Sequence, residues 1–120
     1  MLAEPLEAVY DHTMNAISPE KVAETLHVTM GQIARIAAVH RNTLTRTPTS
    51  PKVQERLGEV MRIITEATNL LGGDVGRAAL WFCHQPLAGF EGQTAEELVT
   101  SGHAAAVVAH LAMLRQGDYA

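Results

Sequence analysis

One cysteine, Cys83, in 120 residues excludes an internal disulfide framework and fits a reducing compartment. No apolar run approaches the roughly 20 residues of a membrane span, and the first twenty residues hold acids but no Lys or Arg before Lys21, so a secretory signal is not expected. The expected setting is therefore cytoplasmic, with no membrane contact. No repeat of 20–50 residues and no low-complexity tract interrupts the chain. Strand signals are missing too. No alternating Val/Ile/Thr/Tyr run lies between hairpin turns, which predicts an all-α fold. Motifs of chemistry are equally scarce: there is no CxxC, HxxxH, HExxH or GxSxG. Cys83 and His84 are neighbours and point about 100° apart on a helix. His103 and His110 share a face but stand roughly 10 Å apart, too far for one zinc. Cys83 follows Trp81-Phe82 near a helix C-terminus, where the dipole disfavours a thiolate, so it reads as a structural thiol. Gly72-Gly73-Asp74-Val75-Gly76 lacks the Lys-Ser/Thr of a phosphate loop and reads as a helix-to-helix turn. Neither a metal, a cofactor nor an enzymatic activity is expected.

What the chain does contain is unevenly placed. Net charge is −4, yet no acid falls between Glu24 and Glu55, while Arg35, Arg41, Arg46 and Lys52 do. A locally basic window in an acidic chain is either a phosphate footprint or a gap in charge placement. The only Trp, both Phe and the only Cys lie within residues 81–90, in a segment broken by Pro86, Gly89 and Gly92.

Apolar spacing and capping signals predict the helices. The first spans about Glu4 to Met14, with Leu6, Val9, Tyr10 and Thr13 on one face. Ser18-Pro19 starts a second that stops near His27. Thr29 caps a third, TMGQIARIAAVH, with Ile33, Ile36, Ala37 and His40 inward. RNTLTRTPTSP has no helical period and reads as a linker. Ser50-Pro51 then opens the best-patterned helix, carrying Val53, Leu57, Val60, Met61, Ile64, Thr68 and Leu71, which ends at Gly72-Gly73. Another helix begins at Asp74 and is ended by Pro86. Thr94-Ala95-Glu96-Glu97 is a capping box, and a last helix runs from His103 to Arg115 with Val107, Val108, Leu111 and Leu114 apolar.

The stretch PEKVAETLHVTMGQIARIAA has the proportions of a helix-turn-helix unit: a short helix, a tight turn, and a second helix packed across it. His27 stands where such units commonly carry glycine; either it takes a left-handed turn or the turn differs from theirs. The second helix would aim Thr29, Met30, Gln32 and Arg35 outward, and Gln and Arg are the side chains that read adenine and guanine. With Arg41 and Arg46 for phosphates, Thr29, Gln32 and Arg35 form the candidate DNA-binding set. The alternative is a helical scaffold without readout.

The order of elements resembles the Xre/MbcA/ParS family of antitoxins, a Cro-like helical region followed by a toxin-binding domain. The resemblance is carried by Arg46 after the helix pair, the long helix leading to ATNLLGGDVGRAALWF, the loop QPLAGFEGQTAEELVTSG and the closing VVAHLAMLRQGDYA. The family's Ala-x-x-Trp-Leu/Phe helix end, Pro before the loop, Thr-Pro-x-x-Leu and later Gly, Val and Leu positions correspond to Ala78–Phe82, Pro86, Phe90, Gly92, Thr94, Leu98, Gly102, Val107-Val108, Leu111 and Gly117. Ala95 departs from the pattern, standing where the family has Pro. The C-terminal likeness covers about residues 55–120.

The resemblance implies two regions, a helix-turn-helix-like one over 1–50 and a toxin-binding domain over 51–120. It implies an antitoxin of a type II toxin–antitoxin pair, occluding the active site of a RES-domain toxin that consumes NAD⁺. Such antitoxins commonly dimerise and repress their own operon as the complex. Phe90 and Glu91 in the loop, and Arg115, Gln116, Gly117, Asp118, Tyr119 and Ala120 at the end, are the residues it assigns to the toxin. A stand-alone helix-turn-helix regulator, whose C-terminal domain only dimerises, is the rival reading.

Overall fold

A computed structural model describes residues 5–117. Along the chain these form α1 (Leu6–Val9), β1 (Tyr10–Asp11), β2 (Ala16–Ile17), α2 (Pro19–Leu26), α3 (Met30–Ala37), α4 (Arg41–Arg46), α5 (Pro51–Leu70), α6 (Val75–His84), α7 (Ala95–Thr100) and α8 (Ala104–Arg115). The chain is mostly helical, and among the described residues no helix is long and apolar enough to cross a membrane.

The helix starts follow their caps. Ser18 accepts from the Lys21 amide at 3.2 Å ahead of Pro19, Ser50 from Val53 at 3.4 Å ahead of Pro51, and Asp74 from Arg77 at 3.1 Å. Each hydroxyl or carboxylate satisfies a backbone donor that the first turn leaves unpaired. Helix α2 stops where His27 takes φ 58° and ψ 45°, the left-handed turn its position demands.

Three expectations fail for local reasons. The helix expected over Glu4–Met14 is a single turn, Leu6–Val9, followed by a small antiparallel hairpin pairing Tyr10 with Ile17 and Asp11 with Ala16. Glu4 itself lies outside the described residues. The Asp11 carboxylate accepts from the amides of Thr13 (2.9 Å) and Met14 (3.1 Å), an alternative to helical bonding. Asn15 then turns the chain at φ 56°, its side chain bonded to the Tyr10 hydroxyl.

The third helix ends at Ala37 rather than His40, because Ala38 adopts φ 57° and the Val39 amide donates back to Ala34 at 3.0 Å. His40 is exposed, not inward, and its Nδ1 accepts from the Asn42 amide at 3.1 Å, capping the next helix. That next helix, α4, occupies the expected linker. It is too short to show a period, and one side chain, Leu44 at 1% exposure, holds it against the core.

Helix α5 is the central element, touching α1, α3, α6, α8 and the β2 strand. Its buried face is broader than its three-and-four spacing suggests, adding Ile63 and Ala67 to the expected residues. Buried Thr68 satisfies its hydroxyl by donating to the Ile64 carbonyl at 2.7 Å. Helix α2 packs on α6 and α3 on α7, so one hydrophobic core runs across residues 50 and 51.

Two polar side chains of α5 fasten the same seam. Arg56 donates from Nη1 to the carbonyls of Ile36 (2.7 Å) and Val99 (2.6 Å), joining the ends of α3 and α7. Gln54 accepts from the Ile17 amide at 2.9 Å and donates to the carbonyls of Ile17 (2.8 Å) and Pro48 (2.9 Å).

Candidate partner-binding surface

The aromatic cluster of residues 81–90 divides by burial. Phe82 is fully enclosed in the core, while Trp81 and Phe90 are half-buried. After α6 the chain turns out through Gln85 and returns to α7 as a short looped finger. Pro86 bridges Thr94, Leu87 donates to Gln93 O at 2.9 Å, and Gln93 donates to Phe90 O at 3.0 Å. Leu87, at 4% exposure, pins its base. Gly89 (φ 86°), Glu91 (φ 55°) and Gly92 (φ 81°) make the tip, a left-handed run that glycine supplies without steric cost and Glu91 does not. The capping box beyond it forms as expected: Thr94 accepts from Glu97 N at 3.2 Å and Glu97 from Thr94 N at 2.9 Å.

Phe90 folds back onto α8. Its ring meets His110 edge-to-face, with centroids 5.9 Å apart and planes at 84°. His110 precedes Arg115 by five residues, about 7.5 Å along a helix axis. The finger therefore rests on α8 at His110, while Arg115, five residues on and about 140° around the helix, faces elsewhere. Arg115 is not free: its Nη1 donates to Glu66 Oε2 at 2.7 Å, tying α8 to α5. Gln116 and Gly117 are exposed beyond it, Gly117 at φ 80°. Asp118, Tyr119 and Ala120 fall outside the described residues.

Of the five residues considered for DNA, two are engaged with each other. Thr29 and Gln32 serve each other in a capping box, the hydroxyl accepting from Gln32 N and the Gln32 carbonyl oxygen from Thr29 N, both at 3.1 Å. Bidentate reading of adenine would require Gln32 to abandon that bond. Met30 packs partly against the core. Arg35 is exposed but lines a cleft of about 580 Å³ whose opposite wall, from α7, carries Glu96 and Glu97. A phosphate entering there would meet two carboxylates. Arg41 and Arg46 are exposed on α4, and the Arg41 stem runs past the first turn of α3, its Cδ 4.0 Å from where a Cβ on Gly31 would lie. Neither Arg35, Arg41 nor Arg46 has an ion-pair partner among the described residues.

Cys83 lies on the inner wall of the same cleft, its thiol directed at the Leu26 carbonyl 3.9 Å away. Burial, reinforced by the neighbouring Glu96 carboxylate, pushes it up to about 12, so it stays a neutral thiol. Among the described residues no three His, Cys, Asp or Glu side chains are gathered as a metal would require.

Sequence reasoning overlooked an apolar surface on the same half of the molecule. Leu80 is 62% exposed and Leu70 37%. The signal was present in the spacing Arg77, Leu80, Trp81, His84, a second helical stripe on α6 opposite the buried Ala78, Ala79 and Phe82. No family model matches the chain, and no curated protein and no solved structure is similar to it.

Proposed function

We propose that this chain is a cytoplasmic antitoxin that binds a cognate RES-domain toxin and occludes its NAD⁺-consuming site. The observation that carries the reading is the Phe90–Glu91 finger, which projects between α6 and α7 and rests on α8 through the Phe90–His110 contact. That is a segment that the antitoxin resemblance assigns to the toxin. Occlusion asks for a rigid protrusion rather than for reactive groups, and the finger's paired base and glycine-bearing tip supply one.

In this reading the region over 51–120 is the toxin-binding part, and α2, its three-residue turn and α3 are a helix-turn-helix-like unit. The complex, built on an antitoxin dimer, binds operator DNA chiefly through phosphate contacts from Arg41 and Arg46. Co-expression with the product of an adjacent RES-type gene tests it. A stable complex in which NAD⁺ is no longer consumed is the expected result, and removal of residues 115–120 weakens that inhibition. A toxin that keeps full activity in the presence of this protein refutes the reading.

The rival, a stand-alone regulator, draws on Arg35, Arg41 and Arg46, exposed and without an ion-pair partner among the described residues. It predicts that the protein alone binds its own promoter with affinity falling steeply as salt rises.

A further inference from the structure

Helix α6 presents Arg77, Leu80, Trp81 and His84 outward at spacings of three and four, over a length of about two turns. On one side of Trp81 is a hollow of about 370 Å³, shared with Leu71, Leu80 and Gln85. On its other side is a narrow slot of about 50 Å³ walled by Leu70, Leu71, Leu111 and Leu114 over Ala67. Leu71 and Trp81 belong to both, so the two hollows adjoin along α6 with Trp81 as the wall between them.

The groove's rim has one chemical character. Its polar members are Arg77, His84 and Gln85, and no carboxylate lines either hollow. The nearby acids are occupied: Glu66 holds Arg115 at 2.7 Å, and Asp74 caps α6 through the Arg77 amide at 3.1 Å. The Arg77 guanidinium has no ion-pair partner among the described residues.

An apolar floor of Leu71, Leu80 and Trp81 with the Arg77 guanidinium at its edge matches an amphipathic helix whose apolar stripe is flanked by carboxylates. We propose that the groove docks such an acidic-flanked helix of the partner protein. An apolar side chain enters the larger hollow beside Trp81, and a carboxylate lies over Arg77. This rests on the antitoxin reading above and extends the contact beyond the finger and the tail. A second copy of this chain fits less well, since a two-fold contact repeats the same patch and brings no acid to meet Arg77.

The test measures binding of the full-length protein to the toxin encoded beside it, for wild type, Leu80→Glu, Leu80→Gln and Arg77→Glu. Because Leu80 is 62% exposed, its replacement leaves the core intact, which circular dichroism and Tm verify. Both Leu80 variants are expected to lose at least about tenfold in affinity, corresponding to burial of part of one leucine. Arg77→Glu is expected to lose affinity and to flatten its salt dependence. Wild-type binding with all three variants unchanged overturns the groove while leaving the antitoxin reading standing. No wild-type binding at all removes both. If light scattering finds a dimer that Leu80→Glu converts to monomer, the groove belongs to a second copy and the proposal is overturned.

Discussion

Helices α3 and α6 bury comparable stripes in the same core, yet their outward faces have opposite fates. On α3 the polar residues that look like readers are engaged locally: Thr29 and Gln32 cap the helix, and Arg35 looks across a cleft at Glu96 and Glu97. On α6 the outward residues have no such neighbours, and Leu80 stands 62% exposed beside a half-buried Trp81. A side chain with a partner three residues away has already committed part of its hydrogen-bonding capacity. An exposed apolar one has no local substitute and must be covered by another molecule or left wet. Polar residues on a helix face are therefore weaker evidence of a contact surface than misplaced leucines are.

The contrast can be broken most directly on α6 itself. Phe82→Ala, on the inward face, is expected to cost about 3–5 kcal/mol in urea unfolding, whereas Leu80→Ala costs less than about 0.5 kcal/mol. Similar losses for both would show that α6 has no free face.

Cys83 tests whether the seam between α2, α6 and α7 stays closed. Its thiol, held near 12 against an ordinary 9.0, favours the folded state fully below pH 9. That contribution is lost as pH rises from 9 to 12, the window in which unfolding releases the proton. At pH 8 the shift predicts alkylation roughly a thousandfold slower than for a free thiol, with urea restoring the rate. Full reactivity in the native protein would mean that the seam opens.

Arg56→Ala removes two charge-assisted bonds to backbone carbonyls and is expected to cost about 2–3 kcal/mol. The unfolding transition should remain single, because the core is continuous across residues 50 and 51. Two separated transitions would establish that the regions before and after α5 are independent.

The smallest effects concern the caps. Thr29→Ala and Thr94→Ala should each lose about 1 kcal/mol. Gln32→Ala sharpens the comparison: lower stability without altered promoter binding fits a capping role, and the reverse result returns Gln32 to the DNA.

Most of the helical scaffold was legible because its signals are local. Ser18-Pro19, Ser50-Pro51, Asp74 and the Thr94–Glu97 box start helices through bonds spanning three residues, and all four do so in the folded chain. Misreadings arose where local evidence was balanced. The spacing of Leu6, Val9, Tyr10 and Thr13 suits a helix, but the Asp11 carboxylate and the left-handed Asn15 divert the backbone into a hairpin. Helix α4 was hidden because six residues hold no full period, and a single buried leucine decides its conformation. The candidate site was legible only in part: the finger and the α8 end were named, but not the Glu66–Arg115 pair that ties one to the body, nor the groove beside them.

From its order of residues alone, this protein's helix starts, its left-handed stop at His27 and the inward stripe of α5 were determined, since each depends on neighbours within about one or two turns. Only the tertiary structure decided that Glu96 and Glu97 of α7 line one cleft with Arg35, that Phe90 rests on His110, and that Leu71 and Trp81 wall two adjoining hollows. Those outcomes depend on how helices distant in sequence meet, and a one-dimensional period fixes which face of a helix is buried without fixing what lies opposite.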